Sequence, residues 1–339
     1  MDEAASPQSA PPEPAASPRA LCLEQEPAAI MRTPCILLLL ISATAFGQEP
    51  AQTPPVLELP ESDIFLFELG NQDGKLTVSN GRNITPRKGY DNQPWFTPDS
   101  SSILFSANHK PDRTDVFEYT IKSQKTTQVT DSPAQEYSPQ ISPDNKTVSF
   151  VTDGDTANQS IWSVNRDGSK PNWLLKNQGE REPVGYYSWN HKTGYILFWS
   201  RYGFSMRLVH GDKKVSHYVT GNAVPSSPHI IPKTEKFSFM HRQGNGEIWI
   251  KELNPTTLAI RPLTPVIGNA RHYGWTPDGA IVMCDGTKLH RWTPDAKDGW
   301  ESVADLADHN MQGVTRVAVS PNGKYLAVVG LPKAAEQAE

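Results

Sequence analysis

Side chains do chemistry when nucleophiles, bases or metal ligands recur at spacings that fold onto one another. The chain has no Gly-x-Ser-x-Gly elbow, no His-Glu-x-x-His and no Cys-x-x-Cys. The glycines of Gly70–Lys75 lack phosphate-loop spacing, and Asp153-Gly154-Asp155 and Asn165-Arg166-Asp167-Gly168 lack the full ligand pattern of a calcium loop. The nine histidines are scattered, with no pair at metal-ligand spacing on one element. What remains is a polar set at the starts of six similar segments: Asp91 and Asn92, Glu136 and Tyr137, Tyr186, Ser226, Arg271 and His272, and Thr315. Brought together, these carboxylates, hydroxyls and one imidazole form a binding mouth or a site for a cation such as calcium. The alternative is a hydrolase or lyase with its site at the central channel, using carboxylates such as Glu136 and Asp91 or a metal held by His272 and its neighbours.

The segments that carry this set repeat. Thr97-Pro98-Asp99-Ser100, Ser142-Pro143-Asp144-Asn145, Thr276-Pro277-Asp278-Gly279 and Ser320-Pro321-Asn322-Gly323 are tight turns by composition. Weaker copies stand at Trp189-Asn190-His191-Lys192 and Ile231-Pro232-Lys233-Thr234. The second residues of the six are 45, 47, 42, 45 and 44 positions apart. β-Branched and aromatic runs flank each turn, a third apolar–polar alternation follows, and a more polar fourth run closes most units. Four short strands every 40–50 residues or so specify a blade of a β-propeller. The last unit, Val314–Val329, has a first and a second strand only, and Asp63-Ile64-Phe65-Leu66-Phe67-Glu68 copies a third-strand pattern. The expected fold is therefore all-β, a six-bladed β-propeller of four-stranded blades, its sixth blade closed 2+2 by the N- and C-terminal strands. The aromatic stretch Tyr186 to Phe204 is either packing between blades or a stacking surface for sugar or peptide.

The unit running from Val129-Thr130 through Tyr137-Ser138-Pro139-Gln140-Ile141-Ser142-Pro143-Asp144 to Ile161-Trp162-Ser163-Val164-Asn165-Arg166-Asp167-Gly168 resembles the WD40-like (PD40) repeat of TolB-like six-bladed propellers. The resemblance covers about residues 63–330. It implies a periplasmic or secreted propeller that acts as a protein-binding scaffold, with an envelope or secreted protein or peptide as partner. TolB itself has an α/β domain between leader and propeller; here that place holds the Pro-rich Gln48–Glu61.

Composition agrees. Thirty prolines and 23 glycines disfavour long helices. A net charge of −5 gives no basic footprint for nucleic acid. Residues 1–30 are rich in Pro, Ala, Glu and Ser and are expected to be disordered, or to come from an over-extended reading frame with Met31 the true start. Residues 31–47 read as a signal peptide: Arg32, the run Ile36–Ile41, then small residues up to a cleavage after Gly47. The domain plan is thus 1–30 extension, 31–47 signal peptide, 48–61 linker, 62–331 propeller and 332–339 tail. The remaining 292 residues carry 30 basic and 32 acidic side chains and one cysteine, Cys284, in an apolar run that suits a buried, inert thiol. The expected product is a monomer without cofactor and without stable membrane insertion.

Overall fold

A computed structural model describes residues 59–110, 113–154, 158–175, 182–211, 215–296, 299–309 and 311–332. The extension, the signal-like segment and most of the linker lie outside the described residues. Two strands come first, β1 (Asp63–Gln72) and β2 (Lys75–Asn83). Blade one follows with β3 (Asp91–Phe96), β4 (Ser102–Lys110), β5 (Arg113–Thr120) and β6 (Lys125–Gln128). Blade two has β7 (Glu136–Ile141), β8 (Thr147–Thr152), β9 (Ser160–Asn165) and β10 (Asn172–Trp173). Blade three has β11 (Val184–Trp189), β12 (Tyr195–Ser200), β13 (Ser205–His210) and β14 (His217–Thr220). Blade four has β15 (His229–Ile230), β16 (Phe237–Arg242), β17 (Ile248–Leu253) and β18 (Ile260–Pro265). Blade five has β19 (Tyr273–Trp275), β20 (Ile281–Asp285), β21 (Lys288–Trp292) and β22 (Glu301–Asp305). Last come β23 (Met311–Val319) and β24 (Tyr325–Pro332).

Each blade is an antiparallel sheet paired in chain order, except the sixth, whose order is β2-β1-β24-β23. There the N-terminal β1 pairs with the C-terminal β24, from Asp63 opposite Gly330 to Glu68 opposite Tyr325. The protein is a six-bladed propeller closed 2+2.

The repeated turn has a local cause. The hydroxyl at its head faces both ways: Thr97 Oγ1 accepts the Ser102 N–H at 3.0 Å and donates to Asp99 Oδ1 at 2.6 Å. Ser142 does the same with Thr147 and Asp144, and Ser320 with Tyr325 and Asn322. The side chains thus supply bonds that a tight reversal leaves unmade. The backbone bonds that close the turns place Asn190 and Ile231 at the same position as Thr97, Ser142, Thr276 and Ser320. The third turn therefore starts at Asn190, one residue later than its composition suggests. Asn190 Oδ1 takes the hydroxyl's part, accepting the N–H groups of Lys192 and Thr193.

Between each pair of neighbouring blades lies one hydrophobic cluster, six in all among the described residues. Ile64, Leu66, Phe105 and Phe117 join the sixth blade to the first. Phe65, Phe67, Val282 and Leu289 join it to the fifth. Much of the aromatic stretch is packing of this kind: Tyr187 and Phe198 are fully buried, although Tyr202 and Phe204 are exposed. Tyr187 also donates to Ser149 Oγ of the neighbouring blade at 2.7 Å, and Tyr273 repeats this to Ser238 at 2.8 Å. Cys284 sits in the cluster between blades five and six, where burial pushes its thiol up to about 12. Phe67 meets His309 edge-on at 4.8 Å, over Gly81, where a methyl would lie 2.3 Å from the Phe67 ring.

Phe67→Ala would empty that cluster on the closing strand and should cost about 3–5 kcal/mol of unfolding free energy. Tyr202→Ala, at a residue 74% exposed, should cost under about 0.5 kcal/mol. Urea unfolding of the two variants checks this; equal stabilities would contradict the assigned packing.

Candidate functional site

The first strands β3, β7, β11, β15, β19 and β23 surround the channel. Counting back four residues from each turn head gives Gln93, Ser138, Tyr186, Ser227, His272 and Arg316. Four of the six lie at breaks in strand register: Asn92 to Trp95, Tyr137 to Gln140, Val184 to Tyr186 and Val314 to Arg316. Gln93 and Ser138 carry positive φ angles of 59° and 53°. Such bulges re-aim a side chain off the regular pleat.

The belt is hydrogen-bonded across blades. Gln93 Oε1 accepts the Ser138 N–H at 2.7 Å. On the other side, Arg316 Nη1 donates to His272 Nδ1 at 3.0 Å and Nη2 donates to the Tyr186 hydroxyl at 2.9 Å. The guanidinium lies 5.1 Å from the Tyr186 ring centre. Ser226 Oγ is 3.4 Å from His272 Nδ1. An arginine can only donate, so His272 Nδ1 is an acceptor and its proton sits on Nε2. Burial and the neighbouring Arg316 and His229 hold His272 well below the usual imidazole range. Burial pushes His229 down to about 4. Both rings are therefore neutral at pH 7, and the positive charge of this belt belongs to Arg316.

Above the belt, at the turn end of the channel, opens a cavity of about 670 Å³. Three half-buried indoles line it, Trp95, Trp189 and Trp275. Five turn prolines form its rim: Pro98, Pro143, Pro232, Pro277 and Pro321. Its inner end holds Gln93, Ser138, Ser227, His272 and Arg316.

Of the nine residues expected to form a mouth, His272 alone lines this cavity, and Tyr186 and Ser226 join it through Arg316 and His272. Tyr137 is half-buried, its hydroxyl 3.3 Å from Gln135 Oε1. The remaining five do not meet as one ring. Arg271 and Thr315 are exposed; they bond to backbone carbonyls of Asn269 and Ala270 and of Val329. Each stands one position before the residue that enters the belt. Asp91, Asn92 and Glu136 are buried away from the cavity, where they tie the blades together. Asp91 pairs with Arg87 at 2.6 Å, Asn92 reaches Ser62, and Glu136 accepts from Thr130 and from Ser132. Arg316 is the residue sequence reasoning missed. Among the described residues no group of three His, Cys, Asp or Glu side chains converges to hold a metal ion.

No family model and no curated protein matches the chain. Solved structures do. The putative TolB from Agrobacterium tumefaciens matches with a TM-score of 0.61 at 15% identity, over 80% of this chain and 98% of that one. The fold is that of the TolB-like propellers. TolB from Acinetobacter baumannii matches with a TM-score of 0.51 at 12% identity, over 80% of this chain and 64% of that one. An oligogalacturonate lyase in complex with manganese matches at 0.52 and 15%, over 79% and 86%. At these identities the TolB-like fold is what is shared, and the channel residues must be read from this chain.

Burial outweighs Arg87 at Asp91 and outweighs Thr130 and Ser132 at Glu136, pushing both up to about 7 from 3.8 and 4.5. At these two groups the folded chain binds more protons than the unfolded one between about pH 4 and 7, so their contribution to stability falls as pH rises, while the buried, neutral His229 and His272 act in the opposite sense. Unfolding measured from about pH 4.5 to 8 in the parent chain and in the Asp91→Asn, Glu136→Gln variant isolates the carboxyl contribution. Relative to the parent, the stability of the variant should gain with rising pH; the same pH dependence in both would contradict the assignment.

Proposed function

We propose that the chain is an exported, non-catalytic binding module of the cell envelope that takes a protein segment at the turn end of its channel. The observation that carries this reading is the cavity of about 670 Å³ walled by indoles and prolines. A pocket of this size and lining buries an apolar ligand, with a few placed polar groups to orient it. Tryptophan and arginine are the side chains most often found as binding anchors. The walls come from all six blades, so the site exists once the ring has closed. No cofactor is needed in this mode, because Arg316 supplies the positive charge. Among the described residues no helix is long and apolar enough to cross a membrane. A stoichiometric metal found by elemental analysis of the purified protein would instead favour a channel enzyme.

Photoreactive side chains placed at Lys192 or Lys233, on the cavity rim, should cross-link the same envelope protein in cells. Lys75, exposed on β2, should not. Trp189→Ala should weaken capture from the rim about tenfold or more. No adduct from either rim position, or equal yield from Lys75, would overturn the proposal.

A further inference from the structure

Among the described residues the charge on the cavity floor has no carboxylate partner. A guanidinium has five N–H donors. Arg316 uses one on His272 and one on Tyr186, both neutral acceptors. Among the described residues no carboxylate pairs with it; Arg87, Arg113, Arg166, Arg207, Arg261 and Arg291 each meet one, while Arg201, Arg242 and Arg271, which like Arg82 have none, are exposed. Its remaining donors are unassigned, at the inner end of an apolar cavity. Arg316 is half-buried, so these donors face the cavity, where an anionic group of a ligand can meet them.

The lining of the cavity lies on one side of the belt. Its lining consists of first-strand residues and the turns that follow them, and stops at the Arg316 belt. Tyr186 lies on the far side of the guanidinium and does not line it. Asp91, Asn92, Tyr137, Ser226, Arg271 and Thr315, at the opposite end of the first strands, are absent from it as well. A cavity of about 670 Å³ holds a few residues of one strand more readily than the two strands of a loop. A group that reaches its floor is then at the end of a chain.

We infer that the cavity binds the C-terminus of a partner peptide, its free α-carboxylate paired with Arg316 and its preceding apolar side chains against Trp95, Trp189 and Trp275. Guanidinium and carboxylate match in shape as well as charge, so the pair is specific for the free acid. The indoles and prolines accept apolar or aromatic side chains without strict sequence. This deepens the binding-module reading and rests on it.

Random-sequence heptapeptides, arrayed once with free C-termini and once as C-terminal amides, provide the test on the full chain. Peptides that bind should bind as free acids about tenfold or more better than as amides, the size of one lost charged hydrogen bond. Arg316→Gln keeps an amide to reach His272 or Tyr186 and removes the charge, so it should abolish the difference between acid and amide. Circular dichroism and the melting temperature establish that this variant is folded. Arg316→Lys, which keeps the charge, should retain part of the preference and supplies the comparison if the glutamine variant does not fold. Equal binding of acids and amides overturns the inference while leaving peptide binding intact. So does a preference that follows internal Asp or Glu rather than the terminus. If no peptide binds, both this inference and the binding-module reading fail; binding of an oligogalacturonate in its place would point to an anionic sugar.

Discussion

The pairing of β1 with β24 is the constraint on which the rest of the molecule depends. Six consecutive positions of the N-terminal strand face the C-terminal one, and among the described residues this pairing alone joins the first strands to the last in one sheet. Sheet edges are sites of unwanted association, and ring closure leaves each blade with only one short outer edge. Closure also fills the last two of the six interblade clusters. The same strand pair holds β23, which carries Arg316. The cavity is therefore complete only when the ring is closed.

Most of the architecture was legible because the unit is short and its turn is chemically explicit. A Ser or Thr head, a Pro and an Asp or Asn satisfy one another locally, so the pattern survives wherever the turn is kept. The half-blades at the two ends followed from the third-strand pattern of Asp63–Glu68 and the second-strand run Tyr325–Val328, which proved to be register partners. The third turn slipped by one residue because Asn190 replaces the hydroxyl and His191 replaces the proline.

The channel residues were less legible, and for a definite reason. Regular alternation assigns side chains to faces in steps of two, and a bulge shifts the assignment by one. Thr315 was expected at the mouth, but the register break between Val314 and Arg316 puts Arg316 there; of the expected pair Arg271 and His272, only His272 enters the belt. Aligning the strands on their turn heads, with the third at Asn190, puts Tyr186, His272 and Arg316 in register. That signal was present in the sequence; only Tyr186 needed the corrected third turn. Asp91 and Glu136 were misread for another reason. Their chemistry suits a site, but each lies in a buried contact with hydroxyls or Arg87. The two ends of the first strands thus differ in charge: buried carboxylates brace one, and an unneutralised guanidinium faces the cavity at the other.

The most direct measurement is native-state hydrogen exchange across the ring. If closure is what holds the molecule together, the amides of β1 and β24 open with the same free energy as those of β12 and β13 in blade three, in one cooperative unit. Exchange of β1 and β24 through a separate opening of lower free energy, with blade three still protected, would contradict it.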